Sequence, residues 1–422
     1  MTGTRSLLGS VAIYMSANAV AAGVPLLLMP LLTRILSQED YGRVGMFSVT
    51  IVALSALAGL SVYGATGIRY FERNELNFPN YVTSCFAILG ASSAVLMLVV
   101  LLFSDRLEQV THLPTSWLVI ATLVAMVQFV LQVRLGIWQS AKQPWHFGAL
   151  RISQSVGDAA LTLALVVGLG LAWQGRAAGM AIAAGGVGAL AVISLFRSGL
   201  IGRQVKKDYV LNALRYGVPL IPHVLGGMLL AMADRFMISS MLGVAETGIY
   251  FVSVQIGLAI RLITESVNRA YAPWLIEALR INDYPRDIAA VRMTYAYSTA
   301  LLAGAILVGW LAPFILPLLV GEAFQAAAPI VGVTALGFAF GGMYLMVTNY
   351  LFYAGQTGRL ALITISCGAL NVGLSYVLLP LNGAIGAAQA FAASQLALFL
   401  LTWFAAQRAR PMPWLRALTG QG

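Results

Sequence analysis

Charge is the property that this chain has least of. Only 9% of its 422 residues are Asp, Glu, Lys or Arg, compared with ~25% in an average soluble domain, and 59% are hydrophobic. Long polar segments are also lacking, because the longest connections between apolar stretches are 197–211 and 272–290. These two absences exclude an aqueous domain large enough to carry soluble chemistry.

Cysteine, histidine and catalytic motifs are scarce as well. The two cysteines, Cys85 and Cys367, both lie inside apolar segments, so we expect buried thiols rather than a disulfide or a metal site. The sequence has no phosphate-binding loop, no metal-ligand spacing and no nucleophile elbow. We therefore expect neither an enzyme nor a cofactor, and any work against a gradient would use H⁺ or Na⁺ or the gradient of the substrate itself.

Long apolar stretches fill the chain instead. About 20 apolar residues match the ~30 Å hydrocarbon thickness of a bilayer. The sequence therefore predicts an all-α membrane protein with about twelve spans. The predicted spans are 8–33, 44–66, 81–103, 115–138, 147–172, 177–196, 212–242, 249–271, 291–319, 328–353, 360–380 and 383–406.

The basic residues are unevenly divided between alternate loops. One side carries 15 of them: Arg5, Arg69, Arg73, Lys142, Arg197, Arg203, Lys206, Lys207, Arg280, Arg286, Arg292, Arg359, Arg408, Arg410 and Arg416. The other carries 4: Arg34, Arg43, Arg106 and Arg176. The positive-inside rule then predicts both termini in the cytoplasm. The net charge of +10 is explained by this asymmetry, so no nucleic-acid partner is needed.

A weak internal repeat divides the chain. Leu36–Gly42, after the first span, aligns with Leu242–Gly248, after the seventh, and a second pair of turns aligns later. Six spans in each half would relate two bundles by a pseudo-two-fold axis along the membrane normal. We predict bundles at 1–200 and 212–422, joined by a cytoplasmic linker at 201–211. Because the matched strings are short, they are also compatible with generic helix-connecting turns.

Three segments resemble a known family. Leu32–Gly45 (LTRILSQEDYGRVG), Tyr216–His223 (YGVPLIPH) and Ala233–Tyr250, with its ADRFMI and LGVAETGIY strings, are similar to bacterial Wzx-type polysaccharide flippases. These belong to the multidrug/oligosaccharidyl-lipid/polysaccharide exporter superfamily.

The resemblance implies a V-shaped pair of bundles with a central cavity and alternating access. It implies transfer of an undecaprenyl-diphosphate-linked oligosaccharide from the inner to the outer leaflet of the bacterial inner membrane. The product would supply O-antigen, capsule or exopolysaccharide synthesis. The implied partners are this lipid-linked glycan, membrane lipids, and a polymerase with other glycan-assembly proteins.

One predicted span carries a polar stripe. Arg261 lies near the middle of the eighth span, and Tyr250, Glu265, Asn268 and Arg269 fall within ~80° of it at helical spacing. A guanidinium matches phosphate oxygens with a planar fork of donors. Arg261, Asn268 and Arg269 are therefore candidate substrate ligands. The alternative is that Arg261 and Glu265 form only an ion pair between neighbouring turns.

Further candidates lie nearer the predicted outer side. In the seventh span, Arg235 is a candidate substrate ligand, and Asp234 shares with Glu265 the candidacy for carrying a coupling ion. Static pairing of Asp234 with Arg235 or Arg34 is the alternative. Arg34, at the end of the first span, is a gate or headgroup ligand or is simply solvated at the interface.

Prolines and the remaining membrane charges complete the candidates. Kinks at four prolines would bend the first helix of each bundle, as hinges or as packing bends: Pro25, Pro30, Pro219 and Pro222. We expect Asp158 to be a structural hydrogen bonder. Three arginines near inner span ends are expected to be solvated or snorkelled: Arg134, Arg151 and Arg215. The alternative is a basic inner vestibule that they form together with Arg69 and Arg73.

Three other functions are less consistent with the sequence than a flippase is. A cation-coupled multidrug antiporter of the same superfamily would favour acidic cavity residues, whereas arginines outnumber acids inside these spans. A membrane polysaccharide polymerase or ligase would need a large external loop. A scaffold protein without transport activity would not explain an arginine, Arg261, in the middle of a membrane span.

Overall fold

The protein is helical throughout the part of the chain that the structure describes. The computed structural model describes residues 2–281 and 283–419, of which 90% are helical and none form a strand. Twelve of the helical segments are long and apolar enough to cross a membrane. The predicted all-α class and the twelve spans are therefore confirmed, and the protein is a multi-pass membrane protein.

Sixteen α-helices are present in the described residues. They are α1 (Thr2–Ile35), α2 (Gln38–Leu57), α3 (Tyr63–Arg69), α4 (Phe78–Leu102), α5 (Ser104–Thr111), α6 (Thr115–Ser140), α7 (Pro144–Thr162), α8 (Ala172–Arg197), α9 (Lys207–Gly217), α10 (Ile221–Met241), α11 (Val244–Ile281), α12 (Tyr284–Leu319), α13 (Ala328–Tyr353), α14 (Thr357–Asn382), α15 (Ala384–Ala409) and α16 (Trp414–Thr419).

Local capping sets several helix starts. Ser37 precedes α2, and its side chain accepts a hydrogen bond from the backbone N–H of Asp40 at 3.1 Å. Asn77 caps α4 in the same way through the N–H of Asn80 at 3.2 Å. Such caps satisfy backbone donors that have no partner within the helix. Helix α2 therefore begins at Gln38, six residues before the predicted start of that span.

The chain divides into two compact units, Met1–Leu225 and Gly226–Gly422. Residues 201–217 belong to the first unit, because Tyr209 and Asn212 of α9 bond to the start of α4. The Tyr209 hydroxyl accepts from the N–H of Asn77 at 3.2 Å, and the Tyr81 hydroxyl donates to Asn212 Oδ1 at 3.1 Å. The predicted bundle symmetry and V shape stay predictions.

In the first unit, α2, α4, α6 and α8 enclose the core. Phe47 of α2, Tyr81 of α4 and Ile137 of α6 are almost completely buried. Helix α8 approaches α6 at Gly188, where a Cβ would lie 2.4 Å from a methyl of Val127. A small residue at this point lets the two backbones come close, as in other membrane helix pairs.

In the second unit, α13 is the central helix and packs against α11, α12 and α15. Its Gly332 lies against Gly309 of α12, where either Cβ would meet the other backbone at about 3 Å. Gly337 of α13 is covered by the ring of Phe391 from α15. Close packing of small residues therefore holds the centre of this unit as well.

Two helices of the second unit are much longer than predicted. Helix α11 has 38 residues and α12 has 36, whereas the predicted eighth span ends at 271 and the predicted ninth begins at 291. Most residues of the predicted connection 272–290 therefore extend these two helices. Its apolar residues Leu275, Leu279 and Ile288 are buried against α13, α15 and α16, and this packing extends the helices beyond a bilayer width.

Candidate functional site

The polar stripe of α11 is present and open to its surroundings. The side chains of Arg261 and Glu265 are 54% and 36% exposed, and the Nε of Arg261 lies 2.8 Å from Oε1 of Glu265. Arg261 stands 17 residues after Val244, or ~26 Å along the helix at 1.5 Å per residue. It is therefore near the middle of a ~57 Å helix, and its guanidinium is accessible.

Helix α11 has a second exposed face on its opposite side. Ile263, Val267 and Trp274 are 60%, 36% and 37% exposed, and helical geometry places them about 200–240° around the axis from Arg261. Buried Thr264 and Tyr271 separate the two faces on one side of the helix, whereas exposed Ser266 and Ala270 connect them on the other side. An apolar exposed face is suited to acyl chains, whereas a charged exposed face at membrane depth requires water or a polar ligand.

The stripe is anchored to α13 through an amide pair. Asn349 of α13 donates from Nδ2 to Oδ1 of Asn268 at 2.8 Å, and it also donates to the carbonyl of Leu345 at 2.9 Å. Asn268 therefore keeps its own Nδ2 as a donor for another group. Arg269, the next residue, is exposed. The structure thus brings Arg261, Glu265, Asn268 and Arg269 onto one accessible face.

Tyr250 lies on the same nominal face but belongs to a buried cluster. Its hydroxyl donates to Oδ2 of Asp234 on α10 at 2.5 Å, and its side chain has no exposed surface. Asp234 Oδ1 accepts from Nη1 of Arg235 at 3.0 Å and from the Arg235 backbone N–H at 2.8 Å. Arg235 also donates to the carbonyl of Ala231, and its guanidinium lies 5.7 Å from the ring centroid of Phe251.

This cluster separates the candidate residues into two environments. Asp234 and Arg235 are 1% and 7% exposed and are already bonded to each other. Static pairing, one of the two alternatives for Asp234, is what the structure contains. Of the two acids considered for ion coupling, Glu265 is the accessible one.

The first-helix candidates lie apart from the stripe in sequence and environment. Arg34 is exposed and donates from Nη1 to the carbonyl of Pro30 at 2.9 Å. Pro25 and Pro30 both lie inside α1, which continues to Ile35. Since proline has no N–H, the prolines leave carbonyls one turn earlier without their usual partner. The hinge roles stay predictions.

The second pair of candidate hinges lies between two helices. Pro219 is in a short 3₁₀ turn, Val218–Leu220, that separates α9 from α10, and Pro222 is in the first turn of α10. The predicted span 212–242 is therefore two helices in the structure. Proline is tolerated in a first helical turn because its missing N–H would have had no intrahelical partner there.

Two arginines of the first unit are buried, although the sequence predicts exposed positions for both. Arg134 was expected at a solvated span end but is 4% exposed, donating to Ser194 at 2.7 and 3.0 Å and to Ser198 at 3.0 Å. Its guanidinium stacks on Trp138 at 4.2 Å. The Ser194–Ser198 spacing of four residues, on the facing helix, was the signal available in the sequence.

Arg176 was expected in an outer loop but lies inside α8 at 6% exposure. It forms an ion pair with Asp158 of α7 and donates to the Thr162 hydroxyl. Asp158 and Thr162 are four residues apart and so share one helix face. This pair was missed because its partners are far apart in the sequence, although a structural hydrogen-bonding role for Asp158 was expected.

No arrangement for a metal ion was found in the described part of the chain: no three His, Cys, Asp or Glu side chains come together. The chemistry available on α11 is of another kind. Two guanidiniums, one amide and one carboxylate on an accessible face are suited to bind an oxyanion and to exchange a proton or cation.

Known proteins similar to this chain include one family, one relative and two solved structures. Residues 7–279 match the model of a family described as polysaccharide biosynthesis protein. The chain is 23% identical over 353 residues to Lsg locus putative protein 1 of Haemophilus influenzae, covering 82% of this chain and 84% of that protein.

Two solved structures share the fold. One is the lipid II flippase MurJ in an inward closed conformation, with a TM-score of 0.75, 13% identity and coverage of 98% of this chain and 91% of the other. The other is an inward-facing multidrug resistance MATE family transporter of the MOP superfamily, also at 0.75 and 13%, covering 97% and 96%. The first is a flippase and the second a transporter.

Proposed function

The chain belongs to the polysaccharide biosynthesis protein family, and from this premise we propose that it is a flippase for a lipid-linked oligosaccharide. Its substrate would carry a diphosphate on an undecaprenyl chain. It would move this substrate from the inner to the outer leaflet of the bacterial inner membrane by alternating access, with both termini in the cytoplasm. The glycan would enter O-antigen, capsule or exopolysaccharide synthesis, alongside a polymerase and other assembly proteins.

The observation that carries the proposal is the pair of opposite exposed faces on α11. Ile263 and Val267 give the lipid a face that needs no water. Arg261 and Glu265, on the other side, are also exposed within an otherwise apolar span. Burying an arginine against hydrocarbon costs at least ~2.5–3.5 kcal/mol, so this face belongs on a hydrated path.

The sign of the charge favours an anionic substrate. Asp158 neutralises Arg176, and Asp234 neutralises Arg235, so neither pair leaves a free charge for a ligand. On the accessible stripe, two arginines face one glutamate. A diphosphate fits this excess of guanidinium donors, whereas a cationic drug would meet repulsion. The charge thus ranks a multidrug antiporter below a flippase. The antiporter stays the second candidate because the chain shares the fold of a MATE family transporter.

The test measures flipping by purified protein in liposomes. A fluorescent undecaprenyl-diphosphate oligosaccharide is placed in both leaflets, and a membrane-impermeant quencher reports its transfer. Arg261→Ala should reduce the rate by at least about tenfold, equivalent to ~1.4 kcal/mol of lost stabilisation. Arg261→Lys should recover part of the rate, because an ammonium keeps the charge but not the planar fork.

The control is Arg359→Ala, which removes an exposed arginine at the start of α14 in the same unit. It should flip at the unmodified rate. Equal rates for the Arg261→Ala and unmodified proteins would refute the proposal, as would transport of cationic drugs in place of the glycan lipid.

Ion coupling is assigned to Glu265 in this proposal. Its carboxylate is accessible and its partner Arg261 is also the substrate ligand, so substrate and ion would compete for the same pair. Glu265→Gln should retain flipping down a substrate gradient but lose acceleration by an imposed H⁺ or Na⁺ gradient. Acceleration that persists in this variant would exclude Glu265 as the coupling group.

A further inference from the structure

The first unit contains a polar cavity of its own. It has a volume of about 240 Å³, is half open to its surroundings and lies between two short helices, α3 and α9. Its lining residues are Ala65, Ile68, Arg69, Asn212, Arg215 and Tyr216. The function proposed above does not use this cavity.

An unusual backbone turn positions α3 against α9. Gly59, Leu60 and Ser61 have consecutive φ values of 69°, 49° and 59°, a left-handed conformation that residues with a Cβ rarely adopt. The N–H of Gly59 donates to Ser92 Oγ of α4 at 2.8 Å, which fixes the turn. On the α9 side, Gly217 lies so close to the carbonyl of Leu60 that a Cβ would be 2.3 Å from its oxygen.

The strained turn thus fixes the position of one wall of the cavity. Backbone strain of this kind is concentrated at sites where geometry serves a function. It ends the second span at Leu57 and brings the first residues of α3 against α9.

The polar groups that line the cavity offer donors. Asn212 Oδ1 already accepts from the Tyr81 hydroxyl, which leaves its Nδ2 as a donor. Arg215 is exposed and makes no hydrogen bond or ion pair with any described residue. Tyr216 lies over Gly64, with its hydroxyl 3.1 Å from the position of an added Cβ.

Arg69 is the fourth polar group. Its guanidinium bonds to Glu72, and this hydrogen bond raises the pKa of Arg69 above its ordinary value, so the charge is retained. The guanidinium also interacts with the hydroxyl of Tyr81, and its remaining N–H groups can donate into the cavity. Glu72 does not line the cavity but is ion-paired with Arg69, so Arg215 is the lining guanidinium that brings an uncompensated charge.

We propose that this cavity binds a phosphate group through Arg69, Arg215, Asn212 and Tyr216. The group would come either from a diphosphate on a lipid-linked glycan or from the headgroup of an anionic phospholipid. The free guanidinium of Arg215, together with the remaining N–H donors of Arg69 and the amide and hydroxyl donors, matches the tetrahedral oxygens of phosphate. The proposal does not rest on the flippase assignment, because it concerns a separate unit and requires no transport.

The first arm of the experiment titrates inorganic diphosphate into the full-length protein in phosphatidylcholine nanodiscs, by calorimetry. All proteins carry Arg261→Ala, which removes the guanidinium of the α11 stripe. Adding Arg215→Ala should weaken binding by about tenfold or more, equivalent to ~1.4 kcal/mol. Tyr216→Phe should weaken it less, since it removes one neutral donor and no charge.

The second arm counts phosphatidylglycerol molecules that stay bound when nanodiscs containing this lipid are disrupted in a mass spectrometer. Loss of bound lipid with Arg215→Ala would identify the headgroup as the source. Loss confined to the diphosphate arm would identify a diphosphate. Either result supports the site.

The matched control is Lys207→Ala, which removes one exposed positive charge from the same helix but lies outside the cavity. It should bind both probes like its parent protein. Equal losses in the Lys207→Ala and Arg215→Ala proteins would show general charge attraction and overturn the proposal. Absence of binding in both arms would overturn it too.

Discussion

The hydroxyl of Tyr250 donates to Asp234 at 2.5 Å and so joins α11 to α10 through a fully buried contact. Asp234 in turn holds the guanidinium of Arg235 at 3.0 Å. Three polar side chains thereby satisfy one another inside the membrane. Only 11 residues separate Tyr250 from the exposed Arg261, so one helix carries both a closed and an open polar region.

The buried cluster should be sensitive to loss of one charge. Asp234→Asn leaves Arg235 buried without its counter-charge, and we expect the free energy of unfolding to fall by ~3–5 kcal/mol. Combining it with Arg235→Gln should cost less than this. Unfolding of the purified protein in bicelles measures both. Asp208→Asn, at an exposed position of α9, is the control and should change nothing; a similar loss there would contradict the role given to the cluster.

Arg134 should not be replaceable by lysine. An ammonium cannot bond to Ser194 and Ser198 while keeping planar stacking on Trp138. Arg134→Lys should therefore lower the free energy of unfolding by ~1–2 kcal/mol. Arg197→Lys at an exposed end of α8 should leave it unchanged, and thermal unfolding compares the two. Equal stability of both variants would show that the fork and stacking contribute nothing.

Gly217 should tolerate no side chain. The Cβ of an alanine would lie 2.3 Å from the Leu60 carbonyl oxygen, so a backbone must shift, at a cost of ~1–3 kcal/mol in unfolding free energy. Gly185→Ala is the comparison, because nothing lies within 4 Å of a Cβ there. Alanine in that helix should be neutral or favourable by up to ~1 kcal/mol. The reverse order in thermal unfolding would contradict the close approach of α9 to the left-handed turn.

The two faces of α11 should differ in their access to water. Cys85 and Cys367 are 0% and 1% exposed, so the natural thiols give a low background for labelling. A cysteine introduced by Glu265→Cys should react with a charged maleimide in membranes, and one introduced by Val267→Cys should react far more slowly. Gel shift with a polymer-linked maleimide measures the difference. Equal rates at the two positions would remove the hydrated face on which the flippase proposal depends.

The number and class of the helices were predictable because a bilayer imposes its thickness on every span. The span at 328–353 was predicted with the bounds that α13 has. The ends of α11 and α12 were not, because residues 272–290 are amphipathic by pattern alone. Their apolar positions are buried against α13, α15 and α16 of the same unit, and no local signal distinguishes such packing from an interfacial helix.

Site residues were predictable only where one helix contains the whole arrangement. The stripe of Arg261, Glu265 and Asn268 follows from the helical repeat, although its role stays a prediction. Arg134 and Arg176 were misplaced because their partners, Ser194 and Asp158, lie on other helices. Which helices face one another is decided by the packing of the whole unit, and a single sequence does not contain that information in readable form.

The uninterrupted length of α11 has a mechanical consequence. The helix is held near its first end, where the hydroxyl of Tyr250 bonds to Asp234 of α10. No proline lies between Tyr250 and Arg261, and Pro273 is further along the helix, so a displacement at the proposed ligand site of Arg261 would be transmitted to this bond. Loss of the Tyr250–Asp234 hydrogen bond should therefore change the affinity for the ligand proposed at Arg261.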